Sequence, residues 1–95
     1  MAETAHADVV TDAPARYAKQ LASHLGRRAE VQEEADGTRL VLGTSSCLLV
    51  VGDGVLALRA EADSAEDLDR VTDVVGSHLE RFGQRNELVV AWQRP

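Results

Sequence analysis

Residues 29–61 read AEVQEEADGTRLVLGTSSCLLVVGDGVLALRAE, and this stretch decides the fold. Asp36-Gly37 is a strong two-residue hairpin signal between Ala29–Glu34 and Thr38–Gly43. Gly52-Asp53-Gly54 does the same between Ser46–Val51 and Val55–Glu61, and the link Gly43-Thr44-Ser45 joins the two hairpins. Four successive strands with tight turns predict an antiparallel meander. The first strand carries Glu30, Gln32, Glu33 and Glu34, which places it at an edge or gives it a wet face. The third, from Cys47 to Val51, is apolar at every position and is expected at the centre.

Working outward, Thr11-Asp12 and Pro14 form a helix start. Pro14, Tyr17, Ala18, Leu21 and Leu25 fall on one face of a helix over Ala13–Leu25. Gly26 supplies its C-cap, and Arg27 and Arg28 complement its negative end. Before it, Ala5–Val10 reads equally as an edge strand or a frayed arm. After the meander, Ser64 with Asp67 resembles a capping box. Leu68, Val71, Val75, Leu79 and Phe82 make the apolar stripe of a second helix that Gly83 ends. Gly76 within it costs about 1 kcal/mol against Ala, so it marks either a close backbone approach or a tolerated defect. Glu87–Trp92 reads as a closing strand.

The order is (β)-α-β-β-β-β-α-β. The simplest packing is a two-layer α+β domain: a mostly antiparallel sheet of four to six strands with both helices on one face. Residues 1–95 are expected to form one domain, with residues 1–4 disordered.

The composition narrows the function. The chain has 95 residues, is 44% hydrophobic and carries a formal net charge of −6. That balance speaks against nucleic acid or an anionic membrane as partner. One cysteine excludes an internal disulfide, and there is no run long enough to span a bilayer and no signal-peptide pattern at the start. A soluble, cytoplasmic, acidic bacterial domain is the expectation.

Catalytic patterns are missing: no phosphate loop precedes a helix, and Thr44, Ser45 and Ser46 have no histidine near them in sequence. Cys47, inside an apolar strand, reads as a small buried hydrophobe. His24 and His78 are more informative, because each borders an apolar stripe near the C-terminal end of its helix. If the helices pack side by side the imidazoles converge or lie a helix length apart; local hydrogen bonding and dipole complementation is the plain alternative. The functional reading of the pair is a two-His element for a metal, a haem edge or an anionic ligand; two histidines are too few for a closed metal site without a carboxylate or Cys47, so no metal or cofactor is assigned. If the helix ends are neighbours, Arg27, Arg28, Arg81 and Arg85 form a basic rim suited to a carboxylate or phosphate; helix-dipole complementation on solvated faces is the plain alternative. The candidate ligand set is therefore His24, His78, Arg27, Arg28 and Arg81.

Three stretches also carry a resemblance. They are Thr11 to Leu21 with His24, the hairpin ending at Leu56 to Ala62, and His78-Leu79-Glu80-Arg81-Phe82 leading to Leu88-Val89-Val90-Ala91-Trp92. Together they resemble domain-of-unknown-function family 2218 from about Ala7 to Arg94. The resemblance implies an α+β fold like the TATA-binding-protein-like class shared by phosphohexomutase C-terminal domains. It also implies an association with flavin-containing siderophore-interacting reductases, and hence with iron handling.

The first reading is a non-catalytic accessory module. It would bind a small anionic or iron/siderophore-linked ligand, or a partner protein. A weak enzyme with His78 as general base and Arg81 steadying an anion is one alternative. The other is a homodimer built on an exposed sheet face or on the strand Ala29–Glu34.

Overall fold

The computed structural model describes residues 2–84 and 88–94. Seven elements follow in order: β1 (Glu3–Val10), α1 (Pro14–Leu25), β2 (Glu30–Glu34), β3 (Gly37–Leu42), β4 (Ser45–Val51), β5 (Val55–Ala62) and α2 (Ala65–Phe82). The architecture is α+β, with one five-stranded antiparallel sheet ordered β1-β5-β4-β3-β2 and two helices. β2 to β5 form the meander, and β4, apolar at five successive positions, sits at its centre. Ala5–Val10 lies in a full edge strand paired with β5, which settles the choice between strand and arm. β1 begins at Glu3, inside the stretch expected to be disordered; Met1 lies outside the described residues.

The register explains which residues form the core. Ala5, Ala60, Cys47 and Leu40 lie side by side across four strands, and Ala7, Leu58 and Leu49 form the next row. All seven are buried. Tyr17, Ala18, Leu21 and Leu25 of α1 and Leu68, Val71, Val75 and Leu79 of α2 join the same cluster. α2 lies over β5, β4 and β1, where Ala5, Ala7, Ala60 and Ala62 keep the sheet surface low. α1 lies over β3, β4 and β5. No helix among the described residues is long and apolar enough to cross a membrane.

The helix starts differ in their chemistry. Ser64 caps α2, its hydroxyl accepting from the Asp67 backbone N–H at 3.1 Å, with Glu66 and Asp67 in the first turn. At α1 the N-cap is Ala13, with no side-chain cap; the Thr11 hydroxyl instead accepts from the Ala13 N–H at 3.1 Å, and Pro14 opens the helix.

Two expectations are corrected. The β2–β3 turn is Ala35-Asp36, because Glu34 pairs with Gly37. Gly37 is needed for a different reason: a Cβ there would stand 2.2 Å from the Leu49 carbonyl oxygen on β4. Left-handed backbone occurs instead at Gly43 and Gly54, in the next two turns.

The closing strand expected over 87–92 reduces to one antiparallel bridge, His6 with Gln93; Glu87 lies outside the described residues. Residues 88–92 keep a strand-like alternation, with Leu88, Val90 and Trp92 turned to the core and Val89 exposed. Their partner is α2 rather than a strand. A Cβ on Gly76 would stand 2.9 Å from Trp92 Nε1, with Val90 in ordinary contact beside it. The close approach at Gly76 is thus that of a side chain, the Trp92 indole, and not of a backbone. The Val90 N–H donating to Glu80 at 2.9 Å and an Arg94–Asp69 ion pair fasten the segment along α2.

Candidate functional site

α1 and α2 pack together so that His24, in the last turn of α1, meets His78, near the C-terminal end of α2. The ring centroids are 4.9 Å apart, with the planes tilted 46°. Phe82 closes one side, edge-on to His24 at 5.4 Å and to His78 at 6.4 Å. His24 is exposed and His78 half-buried. His78 Nδ1 lies 2.6 Å from the Val74 carbonyl oxygen. A carbonyl only accepts, so Nδ1 carries the proton and donates, which leaves Nε2 outside this bond.

The imidazoles line a hollow of about 420 Å³ whose floor is Leu25, Leu42 and Val74 and whose rim is Arg27 and Arg28. Neither guanidinium is engaged by a hydrogen bond or ion pair among the described residues. Two negative helix ends and two free guanidinium groups therefore share one corner of the molecule. Among the described residues no carboxylate lines the hollow. Arg81 stands apart: it is exposed on the last turn of α2 and is not among the lining residues. His78 and Arg81, the pair of the general-base alternative, are thus not brought together in this hollow. Arg85 lies outside the described residues.

A second concavity, of about 670 Å³, lies on the helix-free face of the sheet. Its side chains include His6, Arg59, Leu48 and Arg39, which the register sets side by side across β1, β5, β4 and β3. Arg39 is held by Glu34 at 2.6 Å and donates to the Ser46 hydroxyl at 3.1 Å; no hydrogen bond or ion pair engages the Arg59 guanidinium among the described residues. Asp8, Asp36 and Glu61 line the same face. Three carboxylates beside two guanidinium groups give it no net attraction for an anion, whereas the charged side chains lining the smaller hollow, among the described residues, are Arg27 and Arg28, set against the negative ends of the two helices. Sequence reasoning did not single out Arg39 or Arg59, because only the strand register brings them into one row.

Cys47 is fully buried. Burial pushes its thiol up to about 12, partly opposed by the Arg59 backbone N–H and the Arg39 charge. It is no nucleophile at neutral pH. Among the described residues no three of His, Cys, Asp and Glu gather into a metal-holding group.

No curated protein matches the chain. Among solved structures it is similar to the NMR structure of PA4090 from Pseudomonas aeruginosa, with 26% identity and a TM-score of 0.78 over 96% of this chain and 95% of that one. A likeness that spans nearly the whole of both chains covers the sheet and both helices that build the hollow. The family profile described as "uncharacterized protein conserved in bacteria" matches residues 6–93, from β1 to the bridge at Gln93, and the chain belongs to that family, DUF2218.

Proposed function

We infer that the domain is a non-catalytic binding module. Its ligand is a small anion, received in the hollow between the C-terminal ends of α1 and α2. The observation that carries this reading is one juxtaposition. Two imidazoles with centroids 4.9 Å apart and the Arg27 and Arg28 side chains, unengaged among the described residues, border a single cavity that no carboxylate of those residues lines. Guanidinium groups pair with carboxylate or phosphate oxygens in fork geometry. The apolar floor of Leu25, Leu42 and Val74 suits a ligand with a hydrocarbon body and an anionic end. Arg81, outside the hollow, would act only on a ligand long enough to extend beyond the rim.

The test is a titration of the ¹⁵N-labelled chain with inorganic phosphate, citrate and a ferric-siderophore chelate, followed by amide shifts. The expected result is saturable movement confined to the ends of α1 and α2, lost in an Arg27→Ala, Arg28→Ala double variant that melts like the parent. Shifts that fall on the sheet's open face, or that survive the double variant, would overturn the reading.

A further inference from the structure

We propose that the same hollow holds a divalent first-row transition ion, ligated by Nε2 of His24 and of His78, with the anion completing its coordination. The inference rests on the reading of this hollow as a ligand site and adds what the histidines do there. Three observations support it. The first is spacing. A metal–nitrogen bond of about 2.0–2.1 Å puts a ring centroid roughly 3.2 Å from the ion. Centroids 4.9 Å apart, with the planes tilted 46°, leave room for one ion between the rings: with both Nε2 atoms turned to it they subtend roughly 100°, near the tetrahedral angle. The second is the orientation of His78: its Nδ1–H is committed to the Val74 carbonyl at 2.6 Å, the arrangement that fixes ring and tautomer in ligating histidines and presents Nε2. The third is what surrounds the pair. Imidazole nitrogens, with no carboxylate beside them among the described residues, select zinc, copper or nickel over calcium or magnesium.

The site is open by construction. A tetrahedral ion takes four ligands, and no third His, Cys, Asp or Glu joins the pair among the described residues. Two positions are left for water or for ligand oxygens, and the remaining oxygens of such an anion reach toward Arg27 and Arg28 on the rim. The guanidinium groups that would repel a bare cation then neutralise the anion that arrives with it.

The experiment titrates the untagged full chain with Zn²⁺ alone by calorimetry and with Co²⁺ alone by visible absorption. One ion per chain is expected, with the intense bands of tetrahedral Co²⁺. His24→Ala and His78→Gln should each weaken Zn²⁺ binding by more than about tenfold, since loss of mere supporting groups already costs that much. Arg27→Ala with Arg28→Ala should leave Zn²⁺ affinity intact or raise it. His24 is exposed, so its variant is expected to fold even if His78→Gln does not. Absent saturable binding, or binding unchanged in His24→Ala, would overturn the metal site. Phosphate binding that persists without metal would keep the anion reading while the metal proposal fails. Metal binding with no phosphate or citrate response would do the reverse.

Discussion

Leu48 and Leu49 are neighbours on β4, and both are buried, at 6% and 1% exposure. They are buried by different means. Leu49 faces the helices, between Leu58 and Thr38 of the adjoining strands, inside the continuous apolar cluster. Leu48 faces the side that carries no helix, between Arg59 and Arg39. The register sets these two long side chains on either side of it, and the Arg39 head is held by Glu34 and Ser46. One face of the sheet is closed by packed helices; the other is sheltered by long polar side chains and remains a concavity. A residue's burial on a strand therefore does not by itself say that another layer covers it.

The largest expected effect separates the two roofs. Leu49→Ala should lower unfolding free energy by about 2–5 kcal/mol in a urea or thermal melt, since neighbours fixed on three sides cannot collapse into the cavity. Leu48→Ala should cost about 1–2 kcal/mol, because arginine stems can settle into the gap and water already reaches the concavity. A Leu48 variant as costly as the Leu49 variant would mean that the open face is packed as firmly as the covered one.

The covered face was legible from the sequence and the open one was not. Period-two alternation in Ala5, Ala7 and Val9 and in Leu56, Leu58 and Ala60, and the helical stripes through Leu21 and Val75, report burial directly, because an apolar residue on that face has one destination. The two helix ends could be placed near each other in principle, but the separation of His24 from His78 depends on how the helices cross, which no local pattern encodes. The row from His6 to Arg39 depends on register across four strands, set by turns one residue of which the dipeptide signal misplaced: Asp36-Gly37 reads as a turn, while Gly37 actually makes room for the Leu49 carbonyl. The tail shows the same limit. Leu88, Val90 and Trp92 alternate as a strand would, but alternation reveals that one side is buried and not whether the partner is a strand or a helix.

Cys47, beside Leu48 but on the covered face, sharpens the comparison through pH. Its thiol is raised to about 12 by burial. The unfolded chain, with a thiol near the ordinary value of about 8.5, loses this proton first. Cys47's contribution is therefore intact below about pH 8 and is lost progressively as pH rises toward 12. Between pH 8 and pH 10 the parent should lose about 2 kcal/mol more than a Cys47→Ala variant loses over the same range, measured by urea midpoints. The native thiol should also resist a thiol reagent at pH 8 until the chain unfolds. Equal pH dependence in parent and variant would place water at a position that the helices are held here to exclude.

The smallest effect concerns the charges of the open face. Arg39 and Glu34 are 2.6 Å apart, but their side chains retain 27% and 35% exposure, so solvent screens the pair. Arg39→Gln should cost less than about 1 kcal/mol, falling further in salt. If the aliphatic stem rather than the charge shelters Leu48, Arg39→Met should be nearly neutral while Arg39→Ala costs more than either. A double-mutant cycle of Arg39→Ala with Leu48→Ala isolates that contact: positive coupling is expected, because the stem has nothing to cover once Leu48 is truncated. Additive losses would mean that Arg39 matters only through Glu34 and Ser46. Burial of Leu48 would then belong to the curvature of the sheet alone, and the contrast between the two faces would be one of shape rather than of side-chain cover.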